Sequence, residues 1–353
     1  MKSFLVFFEA IKIFAVLMFI PKSFAHWDSA YFRKSTDGFN SRPKWMSNIR
    51  QGVKLSALAI PGTHDSAAWT KKMDFIDTQC LNFQQQLEYG IRFFDMRVRH
   101  INNVFALHHG VAYLFMTFDD FLNAVNDFLE INPTEVIMFR LRKEHDDGDG
   151  NTRSMRDTLD AYLNGNKRFL KTSNSGITIG EARGKFIIIS SYVEFNDHGL
   201  KYNNFNIQDN YNLKTNWELY GKWESVKQQL SDAKSGDKNT FYMNYLSGSG
   251  GSFPYFVASG HVDPSTGASR LSTGKTTPGW KKSFPDFPRL NCFLGICTIS
   301  FEGTNILTRD KISEFNDQMR NGQRHRAVGI IMADFPGESL ISTTIDNNHF
   351  NWK

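Results

Sequence analysis

The sequence predicts an α/β fold in one domain, organised around a parallel β-barrel. Seven short runs of β-branched or aromatic residues recur along the 353 residues, and their continuous apolar character is typical of strands buried on both faces. Segments with helical periodicity lie between these runs, and strands that alternate with helices indicate parallel pairing. The number of runs and the lack of a glycine-rich nucleotide-binding motif favour a barrel over a dinucleotide-binding sheet.

The predicted strands are, in chain order, Leu55–Ile60, Ile91–Val98, Val104–Leu107, Glu135–Leu141, Phe186–Ser190, Phe241–Leu246 and Val328–Ala333. The clearest predicted helix follows Thr117, a suitable N-cap with Asp120 three residues later, and ends before Pro133. Residues 248–297 are rich in Gly, Ser, Thr and Pro, so we interpret them as long loops over one end of the barrel.

The first 25 residues differ from the rest of the chain. They contain an apolar run too short to span a bilayer, and the sequence SFA at 23–25 matches the small-x-small cleavage pattern. We therefore expect residues 1–25 to be a signal peptide, residues 26–353 to be the mature chain, and the protein to be secreted (extracellular or periplasmic). Glu9 and Lys12 interrupt the apolar character, which leaves an uncleaved amphipathic anchor as the alternative.

The charge of the chain indicates which classes of partner it can bind. Lysine and arginine number 41 against 36 acidic residues, and no basic cluster is long enough to follow a phosphate backbone, so we expect no nucleic-acid partner. Nothing in the sequence implies a protein partner, and a monomer is expected.

Cys292 and Cys297 are spaced to close a small disulfide loop in an oxidising compartment, and no CxxC pair indicates zinc. Cys80 is left over and is expected to be a buried thiol.

Ionisable residues gather at the ends of the predicted strands. His64 and Asp65 follow the first strand in the sequence IPGTHD, and Asp334 ends the last. Asp95 and Arg97 lie two residues apart on one side of the second strand. Because the carboxyl ends of parallel strands converge on one rim, we expect these side chains to lie close together.

The third and fourth predicted strands contribute further candidates. The third closes with the adjacent histidines His108 and His109, and the fourth carries Arg140, Arg142 and Glu144 on one face. Any one such side chain could instead satisfy a loop backbone. Their joint occurrence on separate strands indicates a general acid–base site around an anion.

The chain resembles the X-region of the bacterial-type phosphatidylinositol-specific phospholipases C. The sequences that carry the resemblance are, in order, IPGTHDS, GIRFFDMR, LHHG, NPTEVIMFRLRKE and GEARGKFIII. They span roughly 55–192, with weaker similarity at YNNFNIQDNYNL and at 328–335. The resemblance implies a distorted, incompletely closed TIM (β/α) barrel.

The resemblance also implies a reaction and the residues that perform it. His64 matches the family's general base and His109 its general acid, while Asp334 is expected to orient His64 and Asp65 to pair with His109. The base removes the proton of the inositol 2-hydroxyl, which attacks phosphorus, and the acid protonates the departing diacylglycerol oxygen. Imidazole suits both roles because it titrates near neutral pH.

By the same resemblance, Arg97 contacts the phosphate and Asp95 lies beside it. Eukaryotic members of the superfamily hold calcium with carboxylates and an asparagine after the first histidine, a position that is Asp65 here. A cation supplied by the protein makes bound calcium unnecessary and electrostatically unfavourable. We therefore expect no metal and no cofactor.

Inositol recognition is expected to differ from that of the relatives. Ser191 stands where the bacterial pattern has an arginine, and Arg142 where it has a lysine. Asp209 and Tyr211 match residues that bind the inositol ring and stack beneath it. Tyr211 could equally be a loop aromatic that packs on the rim.

Membrane contact is expected from Phe253, Tyr255 and Phe256 in the glycine-rich sequence SGSGGSFPYF. These aromatic residues could alternatively cover the barrel mouth.

The function expected from the resemblance is that of a secreted phosphatidylinositol diacylglycerol-lyase, which forms inositol 1,2-cyclic phosphate and also accepts glycosylphosphatidylinositol anchors as candidate substrates. One alternative is a phosphodiesterase of the same barrel superfamily with another headgroup, such as a glycerophosphodiester or sphingomyelin. Another is a catalytically inactive barrel that binds lipid, although the presence of both histidines and both partner carboxylates argues against it.

Overall fold

The computed structural model describes residues 28–32, 36–70, 73, 75–262 and 270–353. The predicted signal peptide at 1–25 lies outside these residues. Within the described ranges, no helix combines the length and the apolar character needed to cross a membrane.

The chain folds into 15 short strands and eight α-helices within the described ranges. The strands are β1 (Ile60–Thr63), β2 (Phe93–Ile101), β3 (Val104–His109), β4 (Ala112–Thr117), β5 (Val136–Lys143), β6 (Lys185–Ser190), β7 (Leu200–Lys201), β8 (Asn206–Gln208), β9 (Asn212–Leu213), β10 (Tyr242–Tyr245), β11 (Ser249–Gly250), β12 (Ser272–Thr276), β13 (Arg289–Phe293), β14 (Ile296–Ser300) and β15 (Ile330–Ala333). The α-helices are α1 (Phe83–Glu88), α2 (Phe118–Ile131), α3 (Met155–Leu163), α4 (Ile179–Ala182), α5 (Leu219–Ser235), α6 (Pro254–Ser259), α7 (Thr304–Arg320) and α8 (Glu338–Asp346).

The main sheet is a curled, open half-barrel, as the sequence predicts. Its strands pair in parallel in the order β7-β6-β5-β2-β1-β15-β10-β8, and in the described part of the chain β7 and β8 do not pair with each other. Three neighbouring strands approach closely at Gly62, where an added Cβ atom would lie 2.7 Å from the sulfur of Met332 and 3.0 Å from the Cβ of Phe93. A glycine is therefore required at the centre of the sheet.

The first and third strands differ from the prediction in position and in direction respectively, and the sequence does not predict β4, β7 and β8 of the main sheet. Residues Leu55–Ala57 form a 3-10 helix, and the first strand is Ile60–Thr63 rather than Leu55–Ile60. β3 runs antiparallel to β2, and β4, which was not predicted, returns antiparallel to β3. The following helix begins at Phe118 as expected, with the Asp120 carboxylate accepting from the backbone N–H of Thr117 at 2.7 Å.

The interpretation of 248–297 as long loops is wrong. This region contains α6, and β12, β14 and β13 form a separate antiparallel sheet. Asp286 fixes the sheet region to the first turns of α5 by accepting hydrogen bonds from the Tyr220 hydroxyl (3.1 Å) and the Trp223 indole (2.7 Å). Because α5 follows β8 and β9, this sheet lies at the carboxyl-end side of the barrel strands.

Candidate active site

The carboxyl ends of β1 and β15, together with the adjacent first half of β2, bring the predicted ionisable residues together. The backbone N–H of His64 donates to the Ala333 carbonyl at 3.1 Å, and the N–H of Asp65 donates to the Asp95 carboxylate at 3.2 Å. Asp65 takes a left-handed backbone conformation (φ 40°), so the chain turns immediately after the strand. This turn directs two consecutive ionisable side chains into one cluster.

His64 is fixed through both ring nitrogens. Its Nδ1 lies 2.8 Å from the Asp334 carboxylate, and its Nε2 lies 2.6 Å from a terminal nitrogen of Arg97. Because a guanidinium only donates, Nε2 must carry a lone pair, and we assign the proton to Nδ1. Burial lowers the pKa of His64, but attraction of the protonated ring to Asp334 outweighs burial and raises the pKa above 6.5.

Arg97 is the positive centre of the cluster. It binds Asp95 at 3.0 Å and Glu144 at 3.1 Å, and it lies 3.5 Å from Asp65. Burial opposes the charge of Asp95, but the guanidinium beside it holds the pKa of that carboxyl well below its usual range. Arg97 is thus a fixed cation that several carboxylates hold in position.

The position of His109 in the cluster does not arise from the parallel strand ends that the sequence indicates. β3 returns antiparallel along β2, so His109 reaches the site because of a β-hairpin and not because parallel strand ends converge. Its Nδ1 lies 2.6 Å from the Ile76 carbonyl and 3.6 Å from the Asp65 carboxylate. The closest partner of His109 is therefore a backbone carbonyl, with Asp65 next to it. The adjacent His108 is buried and stacks near Tyr113, away from the site.

Asp65 is a buried carboxylate whose two oxygens accept no hydrogen bond among the described residues. Burial raises its pKa, and the nearby charge of Arg97 offsets only part of this effect. Because Asp65 lies between Arg97 and His109, its negative charge acts on both by electrostatic attraction across 3.5 to 3.6 Å.

Glu144 belongs to the site, although sequence reasoning placed it only on the strand face that it shares with two arginines. Its carboxylate binds Arg97 at 3.1 Å, accepts from the backbone N–H of Gly110 at 3.0 Å and lies 3.2 Å from Arg142. It therefore links Arg97 to the turn that follows His109.

Arg140 is a second buried guanidinium at the barrel mouth. It donates to the hydroxyls of Ser191 (3.1 Å) and Tyr245 (3.2 Å), stacks over the Tyr202 ring at 4.1 Å and lies 3.5 Å from Asp95. Sequence reasoning names Arg142 and Asp209 as candidates for inositol binding. The structure instead brings Arg140 into contact with Ser191.

The remaining ring-binding candidates lie on the surface. Arg142 is partly exposed beside Glu144, and Asp209 and Tyr211 are exposed just after β8. Asp209 and Tyr211 follow the carboxyl end of β8, whereas Arg142 lies near the carboxyl end of β5.

The predicted set of membrane-contact residues is wrong in two of three positions. Tyr255 and Phe256 are buried inside α6, where Phe256 packs against Phe301 and Tyr255 against Phe335. Only Phe253, just before the helix, is exposed.

Cys292 and Cys297 form a disulfide. Cys80, which was expected to be a buried thiol, is exposed. In the described part of the chain, no three His, Cys, Asp or Glu side chains are grouped as metal ligands.

Comparison with known proteins agrees with this arrangement. Residues 58–192 match the family model "Phosphatidylinositol-specific phospholipase C, X domain". The 1-phosphatidylinositol phosphodiesterase of Staphylococcus aureus (strain Newman) is 29% identical over 279 residues, which cover 70% of this chain and 89% of the relative. The Listeria monocytogenes protein with the same name is 25% identical over 329 residues, covering 87% and 86% of the two chains.

Solved structures support the same fold. The phosphatidylinositol-specific phospholipase C of L. monocytogenes superposes with a TM-score of 0.61 at 23% identity, covering 88% of this chain and 99% of that one. The S. aureus enzyme gives a TM-score of 0.62 at 22% identity, covering 87% and 97%. The motif order, the open barrel and the family model agree, and residues 58–192 form an X domain of the phosphatidylinositol-specific phospholipase C type.

Proposed function

We propose that the protein is a secreted phospholipase C of the lyase type, which cleaves phosphatidylinositol to diacylglycerol and inositol 1,2-cyclic phosphate. The observation that carries the proposal is the pair of contacts of His64: its Nδ1 lies 2.8 Å from the Asp334 carboxylate and its Nε2 lies 2.6 Å from Arg97. With the proton assigned to Nδ1, the lone pair on Nε2 can accept a proton beside the cation proposed to stabilise the phosphate, which a general base requires.

In the proposed reaction, the inositol 2-hydroxyl displaces Arg97 from Nε2 of His64 and gives its proton to that nitrogen. The hydroxyl oxygen attacks phosphorus, and Arg97 stabilises the charge that develops on the phosphoryl oxygens. The bond to the diacylglycerol oxygen breaks as His109 protonates that oxygen. A slower second step with the histidine roles exchanged would add water to the cyclic phosphate.

Purified protein is expected to release cyclic inositol phosphate from phosphatidylinositol vesicles in EDTA, because Arg97 supplies the positive charge for which related enzymes use calcium. ³¹P NMR distinguishes the cyclic product from inositol 1-phosphate. Sphingomyelin and glycerophosphoinositol serve as comparison substrates. Preferential cleavage of either one, a requirement for added metal, or vesicle binding without turnover would each contradict this proposal.

Replacing Asp334 with Asn is expected to move the acidic limb of the kcat/KM profile to lower pH. The base must be unprotonated, and Asp334 is what raises the pKa of His64 against the lowering effect of burial. The acidic limb of the variant should therefore lie at lower pH than that of the wild type. A pH profile on a water-soluble substrate measures this shift, and identical profiles would exclude the orienting role of Asp334.

Arg140 is the proposed donor to the inositol ring in place of the arginine that is Ser191 here. Arg140→Met should raise KM for phosphatidylinositol at least tenfold, because a charged hydrogen bond contributes about 1.5–3 kcal/mol. Ser191→Ala should have a smaller effect. Ser191→Arg alone introduces a second cation next to Arg140, and we expect it to change the ratio of phosphatidylinositol to glycosylphosphatidylinositol-anchor cleavage.

The double exchange Arg140→Ser with Ser191→Arg is the matched control, since it moves one guanidinium to the neighbouring strand. Partial recovery of KM relative to Arg140→Met is the expected result, with thermal unfolding measured to verify folding. Equal KM values for wild type and Arg140→Met would remove Arg140 from the substrate site.

A further inference from the structure

The tip of the β13–β14 hairpin exposes an unusual amount of apolar surface. Phe293, Leu294 and Ile296 are 74%, 86% and 53% exposed. They lie between Cys292 and Cys297, whose disulfide closes the hairpin at the base of this tip. Three large apolar side chains at the end of a covalently closed turn form a compact projection rather than a scattered set of surface residues.

The backbone conformation of this turn is unfavourable for one of the exposed apolar residues. Leu294 (φ 46°) and Gly295 (φ 80°) both have left-handed backbone conformations, which a two-residue hairpin turn requires and which normally selects Asn-Gly. Leucine is unfavourable there on conformational grounds and also because it is exposed to water. This combination indicates that the leucine is present for contact with something apolar.

Cationic and amphipathic residues flank the base of the hairpin. Thr277 and Cys297 exchange hydrogen bonds (2.9 and 3.1 Å), which brings the segment that follows Thr277 next to the hairpin. That segment carries the exposed residues Trp280, Lys281 and Lys282. An apolar tip above tryptophan and lysine is the distribution found in proteins that insert into the interface of an anionic bilayer.

The location of the hairpin suits this role. The indole of Trp217, just before α5, donates to the Thr273 carbonyl in β12 at 3.2 Å, and β12 pairs with β14. Trp217 follows Asp209 and Tyr211 in the chain segment that leaves the carboxyl end of β8. The hairpin sheet is therefore attached on the active-site side of the barrel.

We propose that residues 292–297, here called the hairpin tip, insert into the anionic surface of a lipid bilayer, with Lys281 and Lys282 contacting the headgroups. Insertion of the hairpin tip would hold the enzyme at the membrane that contains its substrate. The biological reason for this contact rests on the proposed function. Membrane binding by the tip can nevertheless be measured without any turnover.

The test is sedimentation with vesicles of phosphatidylcholine and phosphatidylglycerol that contain no phosphatidylinositol. Phe293→Ser with Leu294→Ser should lower the partition constant about 100-fold, since burial of each large apolar side chain corresponds to roughly tenfold. Lys281→Gln with Lys282→Gln should lower it several-fold on these vesicles and leave it unchanged on pure phosphatidylcholine. Ile131→Ser is the matched control, because Ile131 is 71% exposed at the carboxyl end of α2, on the opposite side of the barrel.

A serine variant of the tip that partitions within twofold of wild type would overturn the proposal. So would a variant that changes only self-association in sedimentation velocity, since the tip would then contact a second copy of the chain. Release of inositol 1,2-cyclic phosphate from phosphatidylinositol in detergent micelles is measured in parallel. If the wild type and its variants bind vesicles as expected but the wild type releases no cyclic product, membrane binding by the hairpin tip is supported and the proposed function is contradicted.

Discussion

The His64→Ala variant is expected to lose about 10²- to 10⁴-fold of turnover while keeping its fold, because a general base contributes a factor of this size. His64 lies at a strand end, and its ring contacts the polar groups of Asp334 and Arg97 and, edge-on, the ring of Tyr245. His109→Ala should lose a similar factor, since removal of the general acid leaves the diacylglycerol oxygen to depart unprotonated. Steady-state kinetics and thermal unfolding separate loss of chemistry from loss of structure.

A change of leaving group distinguishes the two roles. A p-nitrophenyl ester of inositol phosphate departs without protonation, so His109→Ala should recover most of its turnover on that substrate and His64→Ala should not. His145→Ala is a suitable control, because His145 follows Glu144 closely and its ring contacts only the Asp146 carbonyl at 3.4 Å among the described residues. Near-native turnover of either catalytic variant on phosphatidylinositol would contradict its assignment. Equal recovery of both on the activated ester would contradict the division between base and acid.

Elements whose position depends on a local pattern could be predicted from the sequence. Parallel buried strands place their carboxyl ends on one rim, and this brings His64 and Asp334 together. The helix that starts at Phe118 follows from its capping residues in the same way. These features need no knowledge of how distant segments align.

The features that could not be predicted depend on strand register and on direction reversal. Arg140 meets Asp95 because β2 and β5 pair residue for residue, with Asp95 opposite Arg140, a register that no local pattern specifies. His109 reaches the site through an antiparallel hairpin that the alternation of strands and helices did not indicate. In contrast, the sequence does contain a pattern that indicates the helix in which Tyr255 and Phe256 are buried. Pro254 at the first helical position and Gly260 after the last mark a short helix.

The Arg97→Asp variant is expected to lose most activity in chelator and to regain part of it with calcium. Arg97 is the cation that Asp65, Asp95 and Glu144 surround, so its replacement removes the phosphate's positive partner and brings four carboxylates together. Removal of one preorganised group that stabilises charge in the transition state costs about 10²- to 10³-fold in turnover, and the additional negative charge repels the phosphodiester further. Carboxylate oxygens are the ligands that calcium prefers, which gives the variant a way to restore a cation at the same position.

Two further measurements test whether the loss of activity is due to the charge of Arg97. Arg97→Met lacks the additional carboxylate and should lose activity without any response to calcium, whereas Arg97→Asp should respond, with isothermal titration calorimetry used to detect binding of the ion. Loss of Arg97 also removes a charge that lowers the pKa of His64, so the acidic limb of the residual reaction of Arg97→Asp in EDTA should lie at higher pH than that of the wild type. Full activity of Arg97→Asp in EDTA would show that the phosphate does not depend on this guanidinium. An equal calcium response in both variants would place the ion away from position 97.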